Sequence, residues 1–261
     1  MTDDFLPVKS AIRTLNIVDL LTKNVDGLAY VDIQERLQWP RSSTYNLLRT
    51  MVEAGYLAFD EVDRKYRIGL RLWEAGQAYV RGRDLARLAQ PYLHSAQTAI
   101  NETVQLAILD DMENIYIAKV ESKHPLKLVS EIGSRLPAYA TGLGKVLLAG
   151  LDTAELDRRL AKVKLQRFTK STIVDKEQLR ARLDHIREQG YGTDDGEYTA
   201  GVFCVAVPIR DASGAVIAAI SSSVPDVRIT DQLRSAMIEV LSNHASRMST
   251  ELGYSGDGRA A

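Results

Sequence analysis

Pro40-Arg41-Ser42-Ser43-Thr44-Tyr45-Asn46-Leu47-Leu48-Arg49 is the stretch on which the reading of this chain turns. Thr44, Leu47, Leu48, Met51 and Ala54 recur at three and four residues, the period of a helix with one buried face. Ser42, Tyr45, Asn46 and Arg49 recur on the opposite face, which is polar and carries one aromatic ring and one guanidinium. Before it stands a short amphipathic segment, Ile33 to Leu37, broken at Gln38-Trp39-Pro40. After it come Gly55 and two strand-like pieces, Tyr56 to Phe59 and Lys65 to Ile68, with Asp60 to Arg64 turning between them. Two short helices, a tight turn and a hairpin predict a winged helix-turn-helix, whose second helix enters the major groove of DNA. Gln38 stands where glycine is the commoner turn residue, so local strain or another turn geometry is expected there.

A helix pair of this kind also occurs with a polar face that is merely solvated. The hairpin and the charge weigh toward DNA. Between Arg36 and Arg71 seven basic residues face four acidic ones, a net +3 inside a chain whose formal charge is −1. A local basic excess in a near-neutral protein suits phosphate contacts without general stickiness to nucleic acid. Ser42, Tyr45 and Arg49 are expected to face the groove, with Ser43 and Asn46 on the same helix; Arg41 and the wing residues Arg64 and Lys65 are expected to hold phosphates.

The chain has 261 residues, long enough for two domains. Its 45% hydrophobic and 26% charged content is that of an ordinary globular protein and excludes a disordered or fibrous chain. Cys204 is the only cysteine, so an intrachain disulfide is excluded and a reducing compartment is expected. The start, Met1-Thr2-Asp3-Asp4-Phe5, lacks the basic, apolar pattern of a signal peptide, and no apolar run reaches the length of a membrane span. A cytoplasmic protein with no membrane partner is expected.

Val8 to Lys23 reads as a first helix, with Ile12, Leu15, Val18 and Leu20 or Leu21 as its apolar stripe. Leu70 to about Val80 reads as a helix leading out of the wing, and Leu72, Trp73, Gly76 and Tyr79 make it the candidate contact between two copies. A second domain opens with a helix from Leu85 to Ile100, interrupted by Pro91. Strands are expected at Thr103 to Leu109, Asn114 to Glu121 and Leu126 to Ile132, and a loop at Gly133 to Pro137. Short helices follow from Thr141 to near Gly150, Thr153 to Val163 and Asp175 to Gln189. A hairpin of Val202 to Ile209 and Ala215 to Ser223 precedes a last helix, Asp231 to Leu252. Grouped strands with flanking helices predict an α+β domain around a mainly antiparallel sheet.

These residues carry a resemblance. Gly55-Tyr56-Leu57 with Tyr66-Arg67-Ile68-Gly69, Glu102 to Ala107, Thr141-Gly142-Leu143-Gly144-Lys145 to Ala149, Gly190-Tyr191, Asp194 to Glu197 and Gly201 to Pro208 resemble, in order, the motifs of the IclR family of transcriptional regulators. Gln38 at the turn and Asn46, where the family commonly has arginine, depart from its pattern. The resemblance covers nearly the whole chain. It implies a winged helix-turn-helix DNA-binding domain over 1–69, a connecting helix over 70–83 and a GAF-like effector-binding domain over 84–252; the small, polar residues 253–261 are expected to form a flexible tail. It also implies double-stranded operator DNA as partner, a small-molecule effector, no cofactor, and a homodimer or dimer of dimers. The positions matching the family's effector contacts are Gly142, Leu143, Asp194, Cys204, Ser221 and Ser223.

The residues themselves offer two supports for a pocket, each with a plainer alternative. If the hairpin turns on Asp211 to Gly214, Arg210 pairs with Ala215, which sets Cys204 opposite Ser221 and Val202 opposite Ser223 on one face. Such buried hydroxyls would need partners that a polar ligand could supply; alternatively that face is exposed. Gly142 and Gly144 open a helix whose free amides suit a carboxylate; alternatively they only permit tight packing. Leu126 to Val129 and Tyr139 are expected to add apolar lining, which suits a small acid. Two other classes stay open: an enzyme using Cys204, and an architectural DNA binder without ligand. His94, His124, His185 and His244 fall in no motif with Cys204 and show no metal-ligand spacing. Thr141 to Lys145 lacks the spacing of a phosphate loop. Asp194, Asp195 and Glu197 read as turn and structural groups. No enzymatic activity is expected.

Overall fold

In a computed structural model, residues 8–82, 85–126 and 130–256 are described. Contacts divide the chain into two compact units, Met1–Asp84 and Leu85–Ala261. The expected boundary at 83–84 lies outside the described residues.

The first unit begins with α1 (Lys9–Thr22), β1 (Leu28–Ala29), α2 (Tyr30–Leu37) and α3 (Arg41–Glu53). A hairpin of β2 (Leu57–Asp60) and β3 (Lys65–Ile68) and the helix α4 (Leu70–Gly82) complete it. Ile17, Leu21, Leu28, Ile33, Leu48, Met51, Leu57 and Tyr66 form its core. The stripe expected on α1 is corrected in its first half: Ile17 and Leu21 are buried, whereas Ile12 and Leu15 are exposed. Apolar residues sit on two sides of α1, and periodicity alone does not say which side meets the core. Gln38 adopts φ 51° and ψ 36°, so the left-handed turn is made without glycine and strain is the reading that holds. The hairpin has a third strand that sequence reading missed: β1 pairs antiparallel with β3, giving the order β1-β3-β2. Two residues are too few to show a strand period.

The second unit runs α5 (Leu85–Ile100), β4 (Thr103–Asp110), β5 (Glu113–Val120), β6 (Arg135–Pro137), a 3-10 turn (Ala138–Ala140) and α6 (Gly142–Ala149). It continues with α7 (Thr153–Lys162), α8 (Lys176–Gln189), β7 (Gly192–Asp195), β8 (Val202–Arg210), β9 (Val216–Pro225) and α9 (Asp231–Glu251). Six antiparallel strands lie in the order β6-β5-β4-β9-β8-β7. One sheet face buries Val104, Leu106, Val205, Val207 and Ile220 against α5 and α9. The other buries Ala107, Tyr116, Ala206 and Ala219 against α6, α7 and α8. The fold is α+β with helices on both faces of the sheet.

Three expectations change here. α5 runs through Pro91 rather than breaking, because Ala89 and Leu93 on either side are fully buried and packing outweighs one lost backbone bond. No strand forms at Leu126 or over 130–132; the strand is Arg135–Pro137, inside the expected loop, and pairs with β5. Residues 127–129 of that expected strand lie outside the described residues. Asp194 and Asp195, expected in a turn, end the edge strand β7. In the expected tail, the amides of Gly253 and Tyr254 donate to Thr250 and Ser249 carbonyls and close α9; residues 257–261 lie outside the described residues.

Candidate functional site

In the first unit, α3 starts directly after Pro40, whose carbonyl accepts the Thr44 amide and hydroxyl. Thr44, Leu48 and Met51 fix one side in the core, so Arg41, Ser42, Tyr45, Asn46 and Arg49 stand exposed on the other. Tyr45 meets the ring edge of Tyr30 at 6.3 Å, and the Tyr30 hydroxyl donates to the Arg41 carbonyl at 2.9 Å. Ser43 differs from the rest: it is half-buried and accepts a bond from Arg13 of α1 at 2.8 Å, which ties two helices together. Arg49 is held by Glu53 at 2.8 Å, and Arg64 by Glu61 at 3.0 Å while lying over Phe59. Part of the local positive charge is therefore met within the unit. Arg41 and Lys65 have no side-chain partner among the described residues.

In the second unit, a cavity of about 390 Å³ opens between the start of α6 and the sheet. Gly142, Leu143, Asp194, Cys204, Ser221 and Ser223 all line it. The strand register brings them there, although not as expected. Arg210 pairs with Val216 rather than Ala215, and a bulge between Ile209 and Arg210 adds a second position, so that Cys204 lies opposite Ser223, Ala206 opposite Ser221 and Val202 opposite Pro225. A shift of two positions keeps each side chain on its face. Asp194, Cys204, Ser223 and Thr103 form one cross-strand row; Gly192, Ala206, Ser221 and Gln105 form the next. Ser221 and Ser223 are buried, which rules out the exposed-face alternative.

Thr141 caps α6, accepting the Gly144 amide at 3.0 Å and donating to Asn114 at 2.7 Å. The amides of Gly142 and Leu143 have no carbonyl within the helix to bond and stand at the cavity wall. The two glycines have separate roles. A Cβ on Gly142 would make only ordinary contacts with Asp194, Cys204 and Ala206; one on Gly144 would lie 2.2 Å from the Ala138 main chain. Gly144 is there for packing, and Gly142 faces the cavity.

The polar groups behind the wall are strongly coupled. Cys204 donates to Ser223 at 3.1 Å, and burial pushes its thiol up, so it stays a protonated donor rather than a thiolate. Burial likewise raises the Asp194 carboxyl to about 7, against the downward pull of the Glu197 amide and the Lys145 ammonium. The Glu197 amide donates to Asp194 Oδ1 at 2.7 Å. Lys145, fully buried, has its pKa lowered by that burial and is held by an ion pair with Glu197.

Sequence reading missed Gln105, which lines the cavity and bonds both serines. Gln105 Oε1 accepts from Ser221 at 3.3 Å and Ser223 at 3.2 Å, while its Nε2 donates to Ser130 at 2.7 Å. Alternation along β4 puts Gln105 on the sheet face of Thr103, but nothing local says that this face bears the cavity. The expected apolar lining is corrected. Leu126 is exposed and off the cavity, and 127–129 lie outside the described residues. The Tyr139 hydroxyl is engaged with the Gln166 main chain. Tyr116, Leu136, Tyr198 and Val202 line the cavity instead.

Comparison with known proteins agrees with this fold. The family model for the IclR helix-turn-helix domain matches residues 10–61, and that for the bacterial transcriptional regulator IclR C-terminal domain matches residues 77–250. The chain belongs to the IclR family of bacterial transcriptional regulators. This IclR-family chain is similar to the HTH-type transcriptional regulator KdgR of Escherichia coli, 34% identical over 247 residues that span 95% of this chain and 94% of KdgR. A transcriptional regulator from Rhodococcus sp. RHA1 shares the structure with a TM-score of 0.82 at 33% identity, covering 94% and 98% of the two chains. An IclR homolog from Microbacterium hydrocarbonoxydans, solved as a complex with 4-hydroxybenzoate, matches with a TM-score of 0.80 at 29% identity, covering 94% and 99%. The IclR-family relatives are named as regulators of transcription, not as enzymes. Among the described residues no helix is long and apolar enough to cross a membrane.

Proposed function

We propose that this IclR-family regulator binds operator DNA through α3 and the wing, and that a small organic acid in the cavity of the second unit changes that binding. The observation that carries the reading is the convergence on one cavity of helix-start amides, two serine hydroxyls and a thiol donor beside aromatic side chains. Its volume of about 390 Å³ lies at the small end of ligand pockets. The amides of Gly142 and Leu143 would hold the carboxylate, and Ser221 and Ser223 would turn their protons to it from Gln105, with Cys204 continuing to donate to Ser223. Tyr116 and Tyr198 would flank a ring, in keeping with the 4-hydroxybenzoate bound by the Microbacterium relative. Asp194 would bear on pH: below about 7 it holds a proton and can donate to the ligand, and above that its charge opposes a carboxylate. The operator-binding form would be a homodimer on a palindromic site, because one winged helix reads only a few base pairs. The exposed Trp73 and Gly76 and the half-buried Leu72 on α4 are the contact we assign to it; the side chain of Tyr79, expected there too, lies outside the described side chains.

The test is an anisotropy titration of operator DNA, isolated by selection from randomised duplexes, with and without members of a panel of small acids headed by 4-hydroxybenzoate. At least one acid is expected to move the midpoint about fivefold or more. DNA affinity unmoved by every acid that binds the protein would sink the proposal.

A further inference from the structure

Successive residues of a helix are about 100° apart around its axis. On α3 the core direction is set by Thr44, Leu48 and Met51. The direction opposite falls on Asn46 and, two turns further along, on Glu53, with Ser42 and Arg49 to one side. Most of the neighbouring groups are committed within the unit. Arg49 is bonded to Glu53, Tyr45 leans on Tyr30 and Ser43 accepts from Arg13. The Asn46 carboxamide is exposed and has no partner among the described residues. Beside it, Lys9 and Arg13 of α1 border the same shallow groove and supply positive charge along its flank.

We infer that Asn46 is the specificity-determining residue at the centre of the reading face and that it selects adenine, so that each operator half-site carries an A·T pair beneath it. The inference rests on the reading of α3 as the helix that enters the major groove. A carboxamide presents an acceptor and a donor side by side, which matches the N6 amino group and N7 of adenine there. The guanine edge offers two acceptors, so it suits arginine or lysine and leaves the amide oxygen opposed to an acceptor. Asn46 is neutral and releases no counterions, so it sets sequence preference without adding to salt dependence.

The experiment is selection of operators from randomised duplexes with the full chain, wild type and variants, followed by binding titrations over a range of salt. Wild type is expected to require one A·T pair per half-site, with replacement by G·C weakening binding about fivefold to 150-fold. Asn46→Ala should flatten that one position, leave the other preferences in place and leave the salt slope unchanged. Asn46→Arg should move the preference at that position to G·C. An A·T preference that survives Asn46→Ala overturns the inference. So does a folded Asn46→Ala protein that loses every preference together, since that outcome makes Asn46 a determinant of helix placement. No enriched sequence with wild type would contradict the groove assignment of α3 itself, and the inference with it.

Discussion

Replacing Lys145 with methionine is expected to lower the melting temperature by roughly 6–20 °C. Lys145 is fully buried and its ammonium faces the Glu197 carboxylate, whose second oxygen has no hydrogen-bond partner among the described residues. Removing the cation leaves a buried carboxylate wholly uncompensated, beside Asp194. Breaking such a pair from one side costs about 3–5 kcal/mol, and each kcal/mol moves the melting point of a domain this size by about 2–4 °C. Removing both charges is a different matter, because desolvation then disappears with the attraction. Lys145→Met combined with Glu197→Leu should recover most of the loss. Thermal unfolding of the three proteins checks this, and equal melting points for the wild type and the single variant would contradict it.

Gly144→Ala is expected to destabilise the second unit by about 3 kcal/mol or more, whereas Gly142→Ala should fold normally. The added methyl at 144 would overlap three main-chain atoms of Ala138, the nearest at 2.2 Å. Main chain in a buried 3-10 turn cannot yield as a flexible side chain does, so the overlap exceeds the usual 1–3 kcal/mol of overpacking. At 142 the nearest atom would be 3.5 Å away, an ordinary contact. Denaturant unfolding of the two variants separates them; a Gly144→Ala protein as stable as wild type would overturn the packing role.

The α3 face was legible because one buried stripe and one polar stripe alternate cleanly over thirteen residues. The six cavity residues were reached through the resemblance together with strand alternation. Alternation survived an error in register: a turn one residue longer than expected and the bulge between Ile209 and Arg210 each shifted the pairing by one position, and the total of two preserves face while changing partners. A shift of one would have put both serines on the face toward α5 and α9, where Ser222 is buried. What stayed hidden depends on contacts distant in sequence. Gln105 meets Ser221 and Ser223 more than a hundred residues away, and nothing local marks it as a cavity residue. Lys145 looks like an ordinary helix lysine until Glu197 is seen beside it. Strands β1 and β6 have two and three residues, below any readable period.

The placement of the effector between the start of α6 and the serine face of the sheet has one direct measurement. Calorimetric titration of the acid that most strongly shifts operator binding would be carried out on wild type and on the Ser221→Ala, Ser223→Ala double variant, with both proteins confirmed folded. Each charge-assisted hydrogen bond contributes about 1.5–3 kcal/mol, so the double variant should bind at least about tenfold more weakly and keep its ligand-free affinity for operator DNA. Equal affinity of the two proteins for the acid would place the effector elsewhere.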